Sequence, residues 1–96
     1  MKAIRIATYA ITDGSFQDVL DTATGAEGVA DIYRGSRGFE SFGIADLGGG
    51  RFASLTIWAD RDAAEAAVGA AATWVKEALQ SVELVSNAVG DLPYWS

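Results

Sequence analysis

Cysteine and histidine are both absent from these 96 residues. Without cysteine there is no disulfide, no thiolate nucleophile and no Cys-ligated metal. Without histidine there is no Ser-His or Cys-His nucleophile pair, no imidazole general base, and no His-ligated zinc or haem. Basic residues are scarce too: seven Lys and Arg stand against thirteen Asp and Glu, for a formal charge of −6. The bases are scattered, with no run of Lys or Arg, so phosphate backbones would be repelled and nucleic acid is not an expected partner. No apolar stretch approaches the ~20 residues that a helical membrane span needs. Met1 to Ile11 alternates polar and apolar residues and lacks a small-residue cleavage site, so no signal peptide is expected and a cytoplasmic location is the default.

What is present suffices for a core. Half the residues are hydrophobic, and three Trp, three Tyr and four Phe are among them. The length fits one domain, residues 1–96, since domains commonly run to ~100–150 residues. A chain this short buries only roughly 60–65% of the surface its unfolded form exposes, so self-association would help it.

Ala3 to Ile11 is rich in β-branched and aromatic residues and ends at the turn cluster Thr12-Asp13-Gly14, which predicts a strand. Ser15 with Asp18 three positions on has capping-box spacing, and Phe16, Val19, Leu20 and Ala23 recur at helical intervals. Gly25 and Gly28 each disfavour helix by up to ~1 kcal/mol relative to Ala, so a kink or break is expected there. Val29, Ile32 and Tyr33 resume the apolar face before Arg34-Gly35-Ser36-Arg37-Gly38 stops it. Phe39 to Leu47 reads as a second strand, with Phe42 and Ile44 on one face and Phe39, Gly43 and Leu47 on the other. Gly48-Gly49-Gly50 is a hairpin turn into a third strand, Arg51 to Ala59. Asp60 or Asp62 caps a second helix with an apolar stripe of Ala64, Ala67, Val68, Ala71, Trp74, Val75 and Ala78. Val82 to Val89 is the last strand.

This β-α-β-β-α-β order predicts an α+β, ferredoxin-like fold: a four-stranded antiparallel sheet with two helices on one face. The third strand offers Phe52, Ser54, Thr56 and Trp58 on one side and Ala53, Leu55, Ile57 and Ala59 on the other. A strand with one solvated face should alternate cleanly, and this one does not. The first strand behaves alike, with Ile4 and Ile6 opposed to Ala7, Tyr9 and Ile11. A second copy of the sheet is the simplest cover for the face the helices leave open.

With these elements in place, the chain resembles the dimeric α+β barrel superfamily, in particular its antibiotic-biosynthesis-monooxygenase (ABM) branch. The residues that carry the likeness are Gly38-Phe39-x-x-Phe42, Leu55-Thr56-Ile57-Trp58, the acid-flanked helix start Asp60-Arg61-Asp62-Ala63-Ala64-Glu65, and Trp74. The resemblance implies a homodimer with facing sheets and a pocket between each sheet and its helices. It also implies a hydrophobic aromatic small molecule as ligand. The activity implied is a cofactor-independent monooxygenase acting on an aromatic or polyketide-type substrate. The alternative is a non-catalytic ligand-binding or dimerisation module of the same fold. Haem-degrading relatives use a helix histidine and a first-strand asparagine. This chain has no histidine, and its one asparagine, Asn87, falls in the last strand, so haem degradation is disfavoured.

Trp58 falls where active relatives carry a pocket tryptophan, which makes it the candidate catalytic residue by resemblance. Thr8, Tyr9, Tyr33, Phe42 and Trp74 are the candidate pocket lining, with Arg34 or Arg37 at the rim. No metal or cofactor is expected. Each candidate has a plainer reading: the tryptophans as core, Arg34 and Arg37 as a solvated turn after a helix end where cations suit the helix dipole. Arg5, inside the first strand, reads as structural, reaching for an acid on a neighbouring strand. The Tyr94-Trp95 tail is too apolar to be idle, folding over a pocket mouth or reaching across a dimer.

Overall fold

The computed structural model describes all residues, Met1–Ser96. The elements are β1 (Ala3–Ile11), α1 (Phe16–Thr24), α2 (Val29–Arg34), β2 (Phe39–Gly48), β3 (Arg51–Trp58), α3 (Arg61–Ala78) and β4 (Val82–Asp91). The strands form one sheet in the order β2-β3-β1-β4, every neighbouring pair antiparallel. This is the ferredoxin-like α+β arrangement that the element order predicts, with both helical excursions on one face.

Local chemistry explains the boundaries. Ser15 Oγ accepts from the Asp18 amide while Asp18 Oδ2 accepts from the Ser15 amide, a complete capping box that starts α1. The expected break falls at Gly25–Gly28, dividing the first excursion into α1 and α2. Asp60 is the cap of α3, its Oδ1 accepting from the Ala63 amide at 2.8 Å. Gly48, Gly49 and Gly50 all have positive φ, at 75°, 62° and 75°, so the β2–β3 turn uses a conformation that other residues resist. Gly38 also has positive φ, and a Cβ there would lie 2.8 Å from the Ala63 Cβ, so glycine lets the start of α3 seat against the entry to β2.

One face assignment is corrected. The register of β2 against β3 shifts between Phe39 and Ser41, a bulge that brings Phe39 to the helix side together with Phe42. Strict alternation would have separated them. Tyr33, Phe39 and Trp58 then form mutual ring contacts with centroids 5.7–6.4 Å apart, and Phe42 meets Tyr33 edge-on at 5.1 Å. Such pairs are each worth ~0.5–1.5 kcal/mol beyond the area they bury.

The helix-facing side carries Ala3, Arg5, Ala7 and Tyr9 from β1, paired across the sheet with Trp58, Thr56, Ser54 and Phe52 from β3. Against them α3 buries Ala63, Ala64, Ala67, Ala71 and Trp74. Methyl groups bring the helix close to the sheet, and Trp74 alone supplies bulk. The other side of the sheet carries Ile4, Ile6 and Thr8 beside Leu55 and Ile57, and no helix covers it. Its apolar character matches the reading from alternation. The tail lies on this side: the Leu92 amide donates to the Lys2 carbonyl, and Trp95 borders a shallow depression with Ile4, Leu55 and Ile57. Trp95 therefore does not cover the helix-side cavity described below. No helix is long and apolar enough to cross a membrane.

Candidate functional site

Between the sheet and the helices lies a cavity of about 30 Å³, and twelve of its thirteen lining residues are hydrophobic. Tyr9 and Phe52 stack as its floor at 5.1 Å, Tyr33 and Phe42 form one wall, and Trp74 with Ala71 and Val75 closes it from α3. The polar exception is Ser54 of β3.

Four predicted residues, Tyr9, Tyr33, Phe42 and Trp74, thus meet around one cavity. Three do not. Thr8 points to the uncovered side of the sheet, where its hydroxyl bonds that of Ser86, because adjacent strand residues face opposite ways. Arg37 is exposed in the loop before β2, 3.9 Å from Asp60, and stays away from the cavity. Arg34 is likewise at the surface, paired with Asp31. Trp58 is fully buried but does not line the cavity. Its indole N–H donates to Thr56 Oγ1 at 2.7 Å, and its ring packs edge-on behind Tyr33. It supports the wall instead of forming it.

The least expected group is Arg5. It is 3% exposed, yet no carboxylate pairs with it, contrary to the acid expected on a neighbouring strand. Nε donates to Asn87 Oδ1 at 2.7 Å and Nη1 to the Tyr33 hydroxyl at 3.1 Å. Burial raises the Tyr33 pKa above its ordinary value; the Arg5 charge and hydrogen bonds from Arg5 and Ser54 work against this without cancelling it. Tyr33 therefore stays a neutral phenol at physiological pH. It accepts from the guanidinium and keeps its own proton to donate. Sequence reasoning passed over Arg5, Asn87 and Ser54 as site groups. Parity was the available signal, since Arg5 shares the face of Ala7 and Tyr9 in β1, and Ser54 that of Phe52 and Trp58 in β3.

The fold defines a class: a ferredoxin-like α+β domain with one four-stranded antiparallel sheet and its helices on one face. Particular solved structures share that fold. A variant of SnoaB, a cofactor-independent oxygenase from Streptomyces nogalater, superposes with a TM-score of 0.71 at 11% identity, covering 98% of this chain and 95% of that one. A Bacillus cereus protein described as an antibiotic biosynthesis monooxygenase gives 0.60 at 18% identity, covering 100% and 95%. MupZ from Pseudomonas fluorescens gives 0.68 at 11% identity, covering 92% and 69%. No protein-family model matches the sequence, and no curated protein matches it.

Proposed function

We propose that the chain is an ABM-like protein that binds a flat aromatic or polyketide-type small molecule in the helix-side cavity and oxidises it with dioxygen, without a cofactor. The observation that carries this reading is the aromatic-lined cavity walled by Tyr33, whose hydroxyl is held by a buried guanidinium. With no side-chain base in the lining, water takes a proton from an anthrone- or hydroquinone-like substrate, the resulting carbanion or phenolate passes one electron to dioxygen, and the proton returns to the peroxide oxygen. For an anthrone the radical pair then joins through a C–O bond, and the hydroperoxide loses water to leave the quinone. The substrate gives up two hydrogens and gains one oxygen atom, and the other oxygen leaves as water. In this scheme Tyr33 donates to the substrate oxygen on which negative charge builds, and Arg5 behind it strengthens that donation. Trp58 acts as a positioning residue that fixes the Tyr33 ring. The likeness to SnoaB supports the chemistry by analogy of fold.

At about 30 Å³ the cavity holds a water molecule or two and not an aromatic ring. Ligand entry thus requires the elements that wall the cavity to move apart. A second reading has its own support: the cavity lining contains no carboxylate or lysine to serve as a base. The same cavity would then sequester a ligand without turnover. In both readings the uncovered sheet face packs against a second copy.

Oxygen uptake by metal-free protein, given a panel of hydroquinones and anthrones, separates these readings. Protein-dependent uptake that falls at least tenfold in Tyr33→Phe, and also in Trp58→Phe, is the outcome expected of the oxygenase. Ligand-induced tryptophan quenching without uptake selects sequestration. Neither uptake nor quenching across the panel would refute both.

A further inference from the structure

Beyond the cavity, on the far side of Tyr9 and Val75, which line both spaces, is a recess of about 220 Å³ between β1, β4 and α3. Its remaining lining is Arg5, Asn87, Lys76, Val68, Ala72 and Leu84. Two cations border it and no carboxylate does, in a chain where acids outnumber bases by thirteen to seven. Chance placement on so acidic a surface would favour the opposite.

The state of Arg5 makes the imbalance more telling. A buried charge normally sits beside an opposite charge, because removal from water is costly unless the charge is paired and hydrogen-bonded. Here both protein partners of the guanidinium, Asn87 and Tyr33, are neutral. A guanidinium has five N–H donors, and Nη2 makes no bond to the protein. No buried side-chain nitrogen lacks a partner, so Nη2 keeps contact with solvent, and the recess is the space that Arg5 lines. Asn87 orients the group: its Oδ1 accepts the hydrogen bond from Nε–H and fixes the guanidinium plane. Where an aspartate would have neutralised Arg5, the sequence has the amide of the same shape.

We infer that this recess is a binding site for an organic anion, whose carboxylate or phenolate oxygen pairs with Arg5 Nη2 while its apolar body rests on Val68, Ala72 and Leu84. Lys76 at the mouth draws the anion in through its field. The site does not depend on the oxygenase reading, since it requires no turnover and uses a space separate from the aromatic cavity.

Calorimetric titration tests it with 2-naphthoate and its neutral counterpart 2-naphthamide. The naphthoate is expected to bind about tenfold or more tightly than the amide, the scale of one charge-assisted hydrogen bond. Asn87→Asp is the decisive variant, because it gives Arg5 an internal counter-ion without changing side-chain shape. It should erase the preference for the anion while the protein stays folded, as judged by its circular dichroism. Lys76→Met, at an exposed position on α3, should lower naphthoate affinity severalfold and weaken its salt dependence. Equal affinities for acid and amide would overturn the inference. So would an anion preference that survives intact in Asn87→Asp, even if oxygen uptake had been demonstrated.

Discussion

The indole N–H of Trp74 donates to the backbone carbonyl of Glu27 at 3.2 Å, tying the end of α3 to the joint between α1 and α2. Forty-seven residues separate the two. The same Trp74 ring closes the aromatic cavity, so one side chain both lines the space and ties down the joint between α1 and α2. Removing the donor while keeping an aromatic ring isolates the latch.

Trp74→Phe should therefore lower the unfolding free energy by about 1–2 kcal/mol, since the Glu27 carbonyl loses its partner and the smaller ring leaves space. Urea denaturation gives the total. Amide hydrogen exchange shows where it acts: faster exchange should appear at Gly25–Gly28 and along α2. Uniform acceleration across the chain would show that Trp74 is core and no latch.

Glu27 itself has φ of 60°, the one non-glycine residue in the left-handed region. That conformation costs a β-carbon-bearing residue roughly 1–2 kcal/mol. Glycine removes the clash and gives back part of the gain as unfolded-chain entropy, up to ~1 kcal/mol. Glu27→Gly should raise the thermal midpoint by a few degrees, and a drop in the midpoint would contradict the strain. If the joint is the hinge for ligand entry, the same variant should also alter the rate of ligand association.

Tyr33 makes stability depend on alkaline pH. Its folded pKa is raised above the unfolded value of 10.0, so the folded state holds the phenolic proton more tightly than the unfolded chain does. The stabilisation is complete below pH ~10 and declines as pH rises from there through the folded pKa. Denaturation midpoints measured from pH 8 to 11.5 should fall at the upper end, and Tyr33→Phe should flatten that fall. An identical slope in the variant would assign the effect elsewhere.

The uncovered sheet face gives the clearest test of assembly. Ile6 is 40% exposed there, beside Leu55 and Ile57, which the tail residue Trp95 borders. Sedimentation of the wild type should give twice the 10.0 kDa chain mass. Ile6→Glu and Leu55→Glu, each placing a charge in the proposed interface, should shift the protein to monomer at micromolar concentration. A wild type that sediments at the single-chain mass would leave the tail as the sole cover of this face.

The sequence announced the fold through devices that act locally. Ser15 with Asp18, the Gly25 and Gly28 break, and the triple-glycine turn each fix backbone through neighbours a few residues away. Alternation in β1 and β3 likewise assigned the two sheet faces. The Phe39 bulge escaped because a bulge breaks the period on which alternation depends, and nothing in Phe39-Glu40-Ser41-Phe42 marks it. For the site, apolar periodicity found Tyr9, Tyr33, Phe42 and Trp74, which pack where any aromatic on that face would pack. Arg5 was misjudged because its partner lies eighty-two residues away, across a strand pairing whose register the sequence does not state. Thr8 was misplaced although parity with Tyr9 was enough to reject it.

The alanine face of α3 has a consequence for how such a cavity changes over time. With methyl groups at Ala67 and Ala71 setting the spacing between helix and sheet, the cavity lies one or two carbon atoms from being filled or enlarged. Ala71→Val would plug it, and Ala71→Gly would open it, while the aromatic walls stay in place. Few single substitutions elsewhere alter the cavity's size without disturbing a ring contact or a hydrogen bond. In evolutionary terms α3 is an adjustable gauge: drift at its alanines resizes the cavity, and the scaffold that holds Arg5 and Tyr33 stays fixed.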